Sequence, residues 1–312
     1  MIKAVIELMK NNTEFYNSVR IDFTYHSSSI EGSTVTKDDH TKLANLKPGQ
    51  TISDAHLSDI SKENDAIENL NCLRLFDYVF KNINEKLSHE LIQKYQFILK
   101  EGSLLHKNVP EETGKYRTTY VKVDDFDPPP HYKVYELMTN LIEDFNVRYP
   151  ILLEDICEFH IRYESIHPFR DGNGRTGRMI AFKQCLQNGV IPFIVDNSTR
   201  TVYINCLEIS HHHNDYSHLI KYCVNHQKIF MQKYKQYLMT NSFEQSNQSL
   251  ERNERLIVEY LTNHIDATRI EIEKYLKLNE RSTIVLLDKL QDKKLIERIG
   301  GSKNTIYKLI RN

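Results

Sequence analysis

Apolar residues recur every three or four positions along most of this 312-residue chain, and that spacing restricts it to a mostly α-helical fold. The stretch EFYNSVRIDFTYHSSSI (14–30) shows the pattern, and Gly32 stands where a helix-ending glycine is expected. The same periodicity predicts helices over 64–83, 88–102, 134–149, 151–166, 177–189 and 215–239. The length suffices for one large domain and a small one.

The helical pattern breaks at GKYRTTYVKVDDFDPPPHY (114–132). Within it, TYVKV is a short alternating stretch with β-branched and aromatic residues, as in a strand. The three prolines that follow cannot form a helix interior, because each lacks a backbone N–H. We therefore expect a small β-hairpin, or flap, that stands off a helical body.

The C-terminal part has a different organisation. NSFEQSNQSL (241–250) is polar and without periodicity, which predicts a linker. Three short helical patterns follow, and then two alternating strands around a Gly-Gly turn. This order is typical of a winged helix-turn-helix, so we expect a main domain over 1–240, with a helix at about 13–32, and a winged helix-turn-helix over 251–312.

Composition favours a globular protein of the cytoplasm. The formal net charge is −1, so no global field attracts the chain to nucleic acid or to a membrane surface. Its apolar runs are interrupted by charges and fall short of the roughly 20 residues that a membrane span needs. The start, MIKAVIELMKNN, lacks the features of a secretory signal. The five cysteines are dispersed, as expected for reduced thiols.

The stretch HPFRDGNGRTGR (167–178) has the composition of an anion-binding loop. Gly172 and Gly174 allow tight turns and a close approach of backbone N–H groups to a ligand. The helix that follows, predicted to begin near Gly174, directs its positive end at the same place. Arg175 and Arg178 are three residues apart and can reach one face of its first turn. Together these features predict a phosphate cradle.

Two further residues of this stretch suggest the chemistry. Asp171 supplies a hard oxygen ligand beside the predicted phosphate site, which suits Mg²⁺ shared between protein and nucleotide. His167 can accept a proton at neutral pH, since an unperturbed histidine has a pKa of about 6.5. A base, a metal ligand and a phosphate cradle together indicate phosphoryl or nucleotidyl transfer to a hydroxyl.

This stretch is similar to the Fic motif, HxFx(D/E)GNGRxxR, at every defining position. FHIRYESIHPF (159–169) also resembles the motif-bearing helix of that family, and GKYRTTYVKV (114–123) resembles its flap; the resemblance covers roughly residues 10–235. It implies a Fic-type helical bundle that transfers AMP from ATP to a Ser, Thr or Tyr hydroxyl of a target protein, with release of pyrophosphate.

The resemblance also implies a role for each motif residue. His167 would be the base, and Asp171 would hold the Mg²⁺ that bridges the α- and β-phosphates. Arg175 would bind the α- and β-phosphates and Arg178 the γ-phosphate, while Phe169 would anchor the loop. The residues of the anion hole would be Gly172, Asn173 and Gly174. Those of the target-docking flap would be Thr118, Thr119, Tyr120, Val121, Lys122 and Val123.

Residues 27–32, SSSIEG, fit the family's inhibitory pattern (S/T)xxxE(G/N). A glutamate at the negative end of a helix dipole needs a nearby cation. The resemblance implies that Glu31 meets Arg178 and blocks the γ-phosphate position. Ser27, four residues earlier on the same helix face, would steady the glutamate, and Gly32 completes the pattern. We therefore expect the protein to be largely switched off.

Weaker signals leave alternatives open. In the family, the region around Tyr203 borders the adenine, but His211–His213 depart from the usual pattern; we interpret these histidines as solvated or as the edge of a pocket. The C-terminal 250–312 carries thirteen Lys and Arg against ten Asp and Glu, a thin charge surplus for binding DNA.

Three functions therefore stay open: AMP addition, AMP removal with Glu31 positioning the water, and DNA-binding regulation with a Fic domain that senses nucleotide. A phosphorylating relative is disfavoured, because GNGR is intact here. The expected partners are a target protein, which could be the chain itself, a second copy in a homodimer, and DNA through 251–312. No membrane partner is expected.

Overall fold

The computed structural model of the chain describes residues 2–47, 49–58, 63–123, 126–248, 251–264, 266–301 and 305–310. It divides into two compact units, 1–233 and 234–312. The helices are α1 Ile2–Asn11, α2 Thr13–Ile30, α3 Lys37–Ala44, α4 Glu63–Lys81, α5 His89–Lys100, α6 Leu104–Asn108, α7 Val134–Asn146, α8 Leu153–Ile166, α9 Asn173–Gln187, α10 Arg200–His213, α11 Ser217–Gln248, α12 Arg252–Asn263, α13 Arg269–Leu276 and α14 Glu280–Asp292. The strands are β1 Ala267–Thr268, β2 Ile296–Ile299 and β3 Ile306–Leu309.

The predicted mostly helical fold is confirmed, and local sequence sets the helix ends. Asn12 caps α2 by accepting a hydrogen bond from the Phe15 N–H at 2.7 Å. Ser88 caps α5 in the same way. Among the described residues, no helix is long and apolar enough to span a bilayer.

Helix α9 lies at the centre of the first unit, where it packs against α2, α4, α5 and α8. Met179, Ile180 and Cys185 are fully buried. A helix that is covered on all sides cannot shift without repacking its neighbours. The loop that opens α9 is therefore held by the core, and α2 and α8 bring their own ends to it.

The second unit has a three-stranded antiparallel sheet in the order β1-β3-β2, with Ile296 opposite Leu309 and Ala267 opposite Tyr307. The sheet and helices α12 to α14 enclose a core that includes Ile257, Leu287 and Leu290. The three helices and the hairpin lie where the sequence predicts them. The short strand β1 was not predicted, since two residues carry no detectable pattern.

The segment 241–250, predicted as a linker, is helical through Gln248, and residues 249 and 250 lie outside the described residues. Glutamate and glutamine are good helix formers, so a polar segment can extend a helix without an apolar face. The domain boundaries at 240 and 251 stay predictions.

Candidate functional site

In the stretch 167–178, residues 167–172 form the turn between α8 and α9, and residues 173–178 begin α9. His167 ends α8 in the left-handed conformation, with φ of 49°, and its N–H donates to the Tyr163 carbonyl at 3.0 Å. Gly172 has φ of 87°, and a Cβ there would lie 3.0 Å from Leu99 Cδ2. Glycine is therefore required at 172 for both conformation and space. Helix α9 begins at Asn173, slightly earlier than the sequence indicates.

The side chain of Asn173 locks this turn. Its Oδ1 accepts from the Phe169 N–H at 2.9 Å, and its Nδ2 donates to the Phe169 carbonyl at 2.8 Å. Phe169 is fully buried, as expected of an anchor. The amide of Asn173 therefore binds both polar backbone groups of Phe169 and holds the loop closed.

Arg178 is the centre of a buried polar cluster. Its Nη2 lies 2.7 Å from Glu31 Oε1 and donates to the Ser27 carbonyl at 2.9 Å. Its guanidinium carbon lies 5.9 Å from the centre of the Tyr203 ring. Burial alone would lower the pKa of Arg178, but the Glu31 charge raises it, so the group stays a cation.

Ser27 plays a different part from the one predicted. Its hydroxyl accepts a hydrogen bond from Nε of Arg178 at 3.0 Å, so it supports the arginine of the ion pair and not the glutamate. The prediction that Ser27 steadies Glu31 directly was wrong. The guanidinium has five donors and enters between the serine and the glutamate, whereas the carboxylate turns toward α9.

Glu31 is placed by the end of helix α2. The N–H groups of Gly32 and Ser33 donate to the carbonyls of Ser29 and Ser28, both at 3.1 Å, which is the Schellman arrangement. Gly32 has φ of 89°, as the predicted cap requires. Burial raises the pKa of Glu31, but Arg178 and Arg175 outweigh it and hold that pKa below its usual range.

The Glu31 carboxylate also lies against Gly174, where any Cβ would overlap its Oε1. The space beside the first turn of α9 is thus filled by a carboxylate of the chain itself. An anion that uses the same turn must displace Glu31.

His167 is half-buried, and burial lowers its pKa below the ordinary value of 6.5. The nearby Glu164 backbone carbonyl raises the pKa of His167, but burial outweighs this effect. A neutral ring that donates through one nitrogen keeps a lone pair on the other. The histidine can therefore accept a proton at neutral pH.

Arg117, which the sequence analysis missed, joins the flap to the motif. It is 2% exposed, and its Nε donates to the His167 carbonyl at 2.9 Å. Its other donors reach the carbonyls of Thr119, within the flap, and of Pro129, in the proline run that follows it. No local pattern marks this arginine as buried.

The flap does not form the predicted hairpin strands. Among its described residues, one antiparallel bridge joins Val123 to Phe126, with N···O distances of 3.1 and 2.7 Å. Residues 124 and 125 lie outside the described residues. The prolines at 128–130 donate no hydrogen bond, so a ladder cannot extend in that direction. Residues 118 and 119 form a bend, residues 120–122 have no regular structure, and Thr118, Thr119 and Tyr120 are exposed.

Asp171 and Arg175 belong to a ring of four alternating charges. Lys100 forms an ion pair with Asp171 and lies 2.9 Å from Glu68. Glu68 lies 2.6 Å from Nη1 of Arg175, whose Nη2 is 3.7 Å from Asp171. Burial alone would raise the pKa of Asp171, but Lys100 and Arg175 hold it below its usual range. The carboxylate is half exposed and ionised, which fits a hard cation.

A cavity of about 480 Å³ adjoins the loop, a size that admits a small-molecule ligand. Its lining includes His167, Gly174, Arg178, Glu31 and Val123 of the predicted site, but not Asp171 or Arg175. Its lining also includes Tyr203 and Leu207, on α10, together with His211, whose Nδ1 is 2.8 Å from the Ser165 hydroxyl. Phe126 of the flap packs on the His211 ring at 3.7 Å between centres.

Tyr203 is 1% exposed, and its hydroxyl lies 2.6 Å from Nε2 of His160. Glu164, which the sequence analysis did not single out, also lines the cavity. Burial raises the pKa of Glu164 to about 8, although Arg178 opposes the shift. The absence of a side chain at Gly177 makes room for it.

Fold and site together define a helical protein in which the Glu31 carboxylate lies against the start of α9 and pairs with Arg178. Residues 86–185 match the Fic/DOC family. The chain is 30% identical over 202 residues to the protein adenylyltransferase Fic of Nematostella vectensis and 25% identical over 226 residues to protein adenylyltransferase fic-1 of Caenorhabditis briggsae. These alignments cover 60% and 70% of this chain and 42% of each relative, so the chain spans about two fifths of their length.

Solved structures agree in fold. A Fic domain-containing signaling protein of Bacteroides thetaiotaomicron matches with a TM-score of 0.59 and 17% identity, over 75% of this chain and 96% of that one. A Fic family protein of Desulfovibrio desulfuricans matches with a TM-score of 0.56 and 19% identity, over 99% and 90% of the two chains. The chain is therefore similar to Fic proteins in sequence over 86–185, and it has the Fic-type helical fold.

Proposed function

We propose that the protein transfers AMP from ATP to a Ser, Thr or Tyr hydroxyl of a target protein and releases pyrophosphate. The observation that carries this proposal is that a histidine whose pKa is lowered by burial, His167, and a buried arginine, Arg178, line one cavity at the start of α9. The curated relatives bear the name protein adenylyltransferase, which supports the same reaction.

In the proposed reaction, His167 takes the proton from the target hydroxyl. The hydroxyl oxygen forms a bond to the α-phosphorus as the bond from that phosphorus to the bridging oxygen breaks, and pyrophosphate leaves. Arg178 and the N–H groups at the start of α9 bind the phosphates. Arg175, buried beside Asp171, would face the α- and β-phosphates.

The donor set fits Mg²⁺ as a cofactor. Asp171 is ionised and half exposed, and it stands beside the proposed phosphate site. Mg²⁺ is commonly bound by one or two carboxylates and substrate phosphates. When bound, the ion would neutralise phosphate charge. Asp171 would be the carboxylate that holds it, and Lys100 and Arg175 keep that carboxylate charged.

We further propose that Glu31 inhibits the reaction by occupying Arg178, and that residues 118–123 dock the target. Thr118, Thr119 and Tyr120 of this segment are exposed, so their backbone could pair with an extended target segment. Arg117 joins this segment to His167, because its guanidinium donates to the carbonyls of both Thr119 and His167.

The proposal is tested with α-labelled and γ-labelled ATP, Mg²⁺ and cell lysate. We expect Glu31→Gly to transfer α-label to protein, the wild type to transfer far less, and Glu31→Gly with His167→Ala to transfer none. Transfer of γ-label alone would contradict AMP transfer. Mass spectrometry of the labelled proteins would identify targets, the chain itself included.

Removal of AMP is a second candidate function, because the Glu31 carboxylate lines the same cavity as His167. An ionised carboxylate there can position a water for attack on an AMP–protein bond. A pre-modified target incubated with wild type, Glu31→Gln and His167→Ala would test this. Release of AMP by all three alike would contradict a role for Glu31.

We also propose, from the order of its helices and strands, that 251–312 is a winged helix-turn-helix. We interpret 280–294 as its recognition helix. Two lysines of this helix pair with glutamates, so fewer positive charges are available to contact DNA phosphates than the sequence suggests. Lys293 lies 2.8 Å from Glu254, and Lys289 lies 3.7 Å from Glu251. Salt-sensitive binding to duplex DNA, without AMP transfer by any variant, would favour a DNA-binding regulator.

A further inference from the structure

Two residues outside the motif, Lys100 on α5 and Glu68 on α4, close the charge ring beneath the loop. The ring alternates in sign: Asp171, Lys100, Glu68, Arg175 and back to Asp171. Three of its contacts measure 2.9, 2.6 and 3.7 Å, and the fourth is the ion pair of Lys100 with Asp171. Its formal charge is zero.

Two members of this ring are largely buried. The Lys100 side chain is fully buried and that of Glu68 is 13% exposed. A buried lysine is retained as a cation only where carboxylates surround it. Lys100 has two, and one of them is Asp171, the proposed metal ligand.

We propose that Lys100 and Glu68 are positioning residues for the reaction: Lys100 orients the Asp171 carboxylate, and Glu68 cancels the charge of Lys100 while it fixes Arg175. This inference rests on the proposed function. In this proposal, residues of two helices outside the motif place the carboxylate proposed to bind the metal and one arginine proposed to bind phosphate.

Lys100 and Glu68 are both needed because their opposite charges offset each other. A lysine bound to Asp171 fixes one carboxylate oxygen, but its positive charge repels a metal ion. Glu68 offsets that charge within 3 Å, so Asp171 can be both held in place and available to a cation. The same glutamate binds one end of the Arg175 guanidinium, which sets the direction of its remaining donors.

The ring is tested in the Glu31→Gly protein with an ATP analogue whose α–β bridge is methylene. Mn²⁺ binding to the analogue complex is measured by electron paramagnetic resonance, and analogue binding without metal is measured in EDTA. For Glu68→Gln we expect Mn²⁺ affinity to fall about tenfold or more, because Lys100 is then uncompensated. Analogue binding without metal should be unchanged or tighter, because the site gains positive charge.

For Lys100→Met we expect AMP transfer to fall about tenfold or more while Mn²⁺ binding is retained, because Asp171 stays charged but is no longer oriented. Lys94→Met, an exposed change on the same helix, is the control and should match the parent. If Lys100→Met does not fold, Glu68→Gln carries the test, since glutamine preserves the shape.

Folded ring variants that keep the parent's Mn²⁺ affinity and transfer rate would overturn the inference. So would a Glu68→Gln protein that loses metal-dependent and metal-free binding in parallel, as a purely structural role predicts. If the Glu31→Gly parent transfers no AMP, the proposed function fails. The Mn²⁺ comparison still tests the ring in that case.

Discussion

Glu31 Oε1 lies 2.7 Å from Nη2 of Arg178, and this ion pair joins residues 147 positions apart in the chain. The same guanidinium donates two hydrogen bonds to Ser27 and lies near the Tyr203 ring. Only 4% of the Arg178 side chain is exposed. The cation proposed to bind a phosphate is therefore withheld by the end of helix α2.

Ser27→Ala should partly release the inhibition. It removes the acceptor for Nε of Arg178 and leaves the contact to the Ser27 carbonyl. A hydrogen bond to a charged group contributes about 1.5–3 kcal/mol, so the inhibited state should weaken about tenfold or more. AMP transfer should fall between that of the wild type and Glu31→Gly. Ser29→Ala is the matched control, and equal activity of both serine variants would contradict the prediction.

Arg200→Gln should also favour the active form. Nε of Arg200 donates to the Ile30 carbonyl at 2.8 Å, at the last turn of α2, where a cation stabilises the helix dipole. Its loss should weaken the docking of that turn by about 1 kcal/mol. We expect faster hydrogen exchange at the Gly32 and Ser33 amides and a several-fold rise in AMP transfer.

A double variant separates the effect of Arg200 on Glu31 from an effect on nucleotide binding. In the Glu31→Gly background the same substitution should leave the transfer rate as it was, because no carboxylate remains to be released. A fall in rate there would instead show that Arg200 contributes to nucleotide binding, since it lines the cavity.

Asn173→Ala should destabilise the fold. The buried Phe169 N–H and carbonyl would lose their partners, at about 1–3 kcal/mol for each unpaired group. Urea unfolding should show the loss. Asn188→Ala, an exposed change at the other end of α9, is the comparison. A difference of less than 1 kcal/mol between the two variants would contradict the locking role.

The motif could be predicted from sequence because its residues are contiguous. Twelve consecutive positions carry the glycines, the arginines, the acid and the base, so no tertiary information was needed. The Glu31–Arg178 pair was predicted only through the resemblance. Neither the spacing nor the composition of two segments 147 residues apart specifies that they meet.

Lys100, Glu68 and Arg117 were missed, because charged side chains are ordinarily exposed. One signal was available: Gln96 and Lys100 lie on the same face of α5 as the buried Ile92 and Leu99, so they interrupt an apolar stripe. The flap strand was over-predicted for a related reason. A strand needs a partner, and the alternating TYVKV does not show whether the chain supplies one.

The pH dependence of AMP transfer should follow His167. Because burial holds its pKa below 6.5, the ring stays neutral and able to accept a proton to lower pH than an ordinary histidine does. For Glu31→Gly we expect a rate that rises with pH through a midpoint below 6.5 and then levels off. Single-turnover rates across pH 5–8 would measure it, and a midpoint above 6.5 would contradict the assignment of His167 as the base.

Arg117 connects the flap to the backbone of His167. Its guanidinium donates to the carbonyls of His167, Thr119 and Pro129, and its backbone N–H donates to the Pro168 carbonyl at 2.8 Å. Through these contacts, a displacement of the flap would reach the backbone of His167. A bound segment that displaces the flap would also re-aim the imidazole, so an ill-fitting segment would be discriminated against at the proton-transfer step as well as in binding.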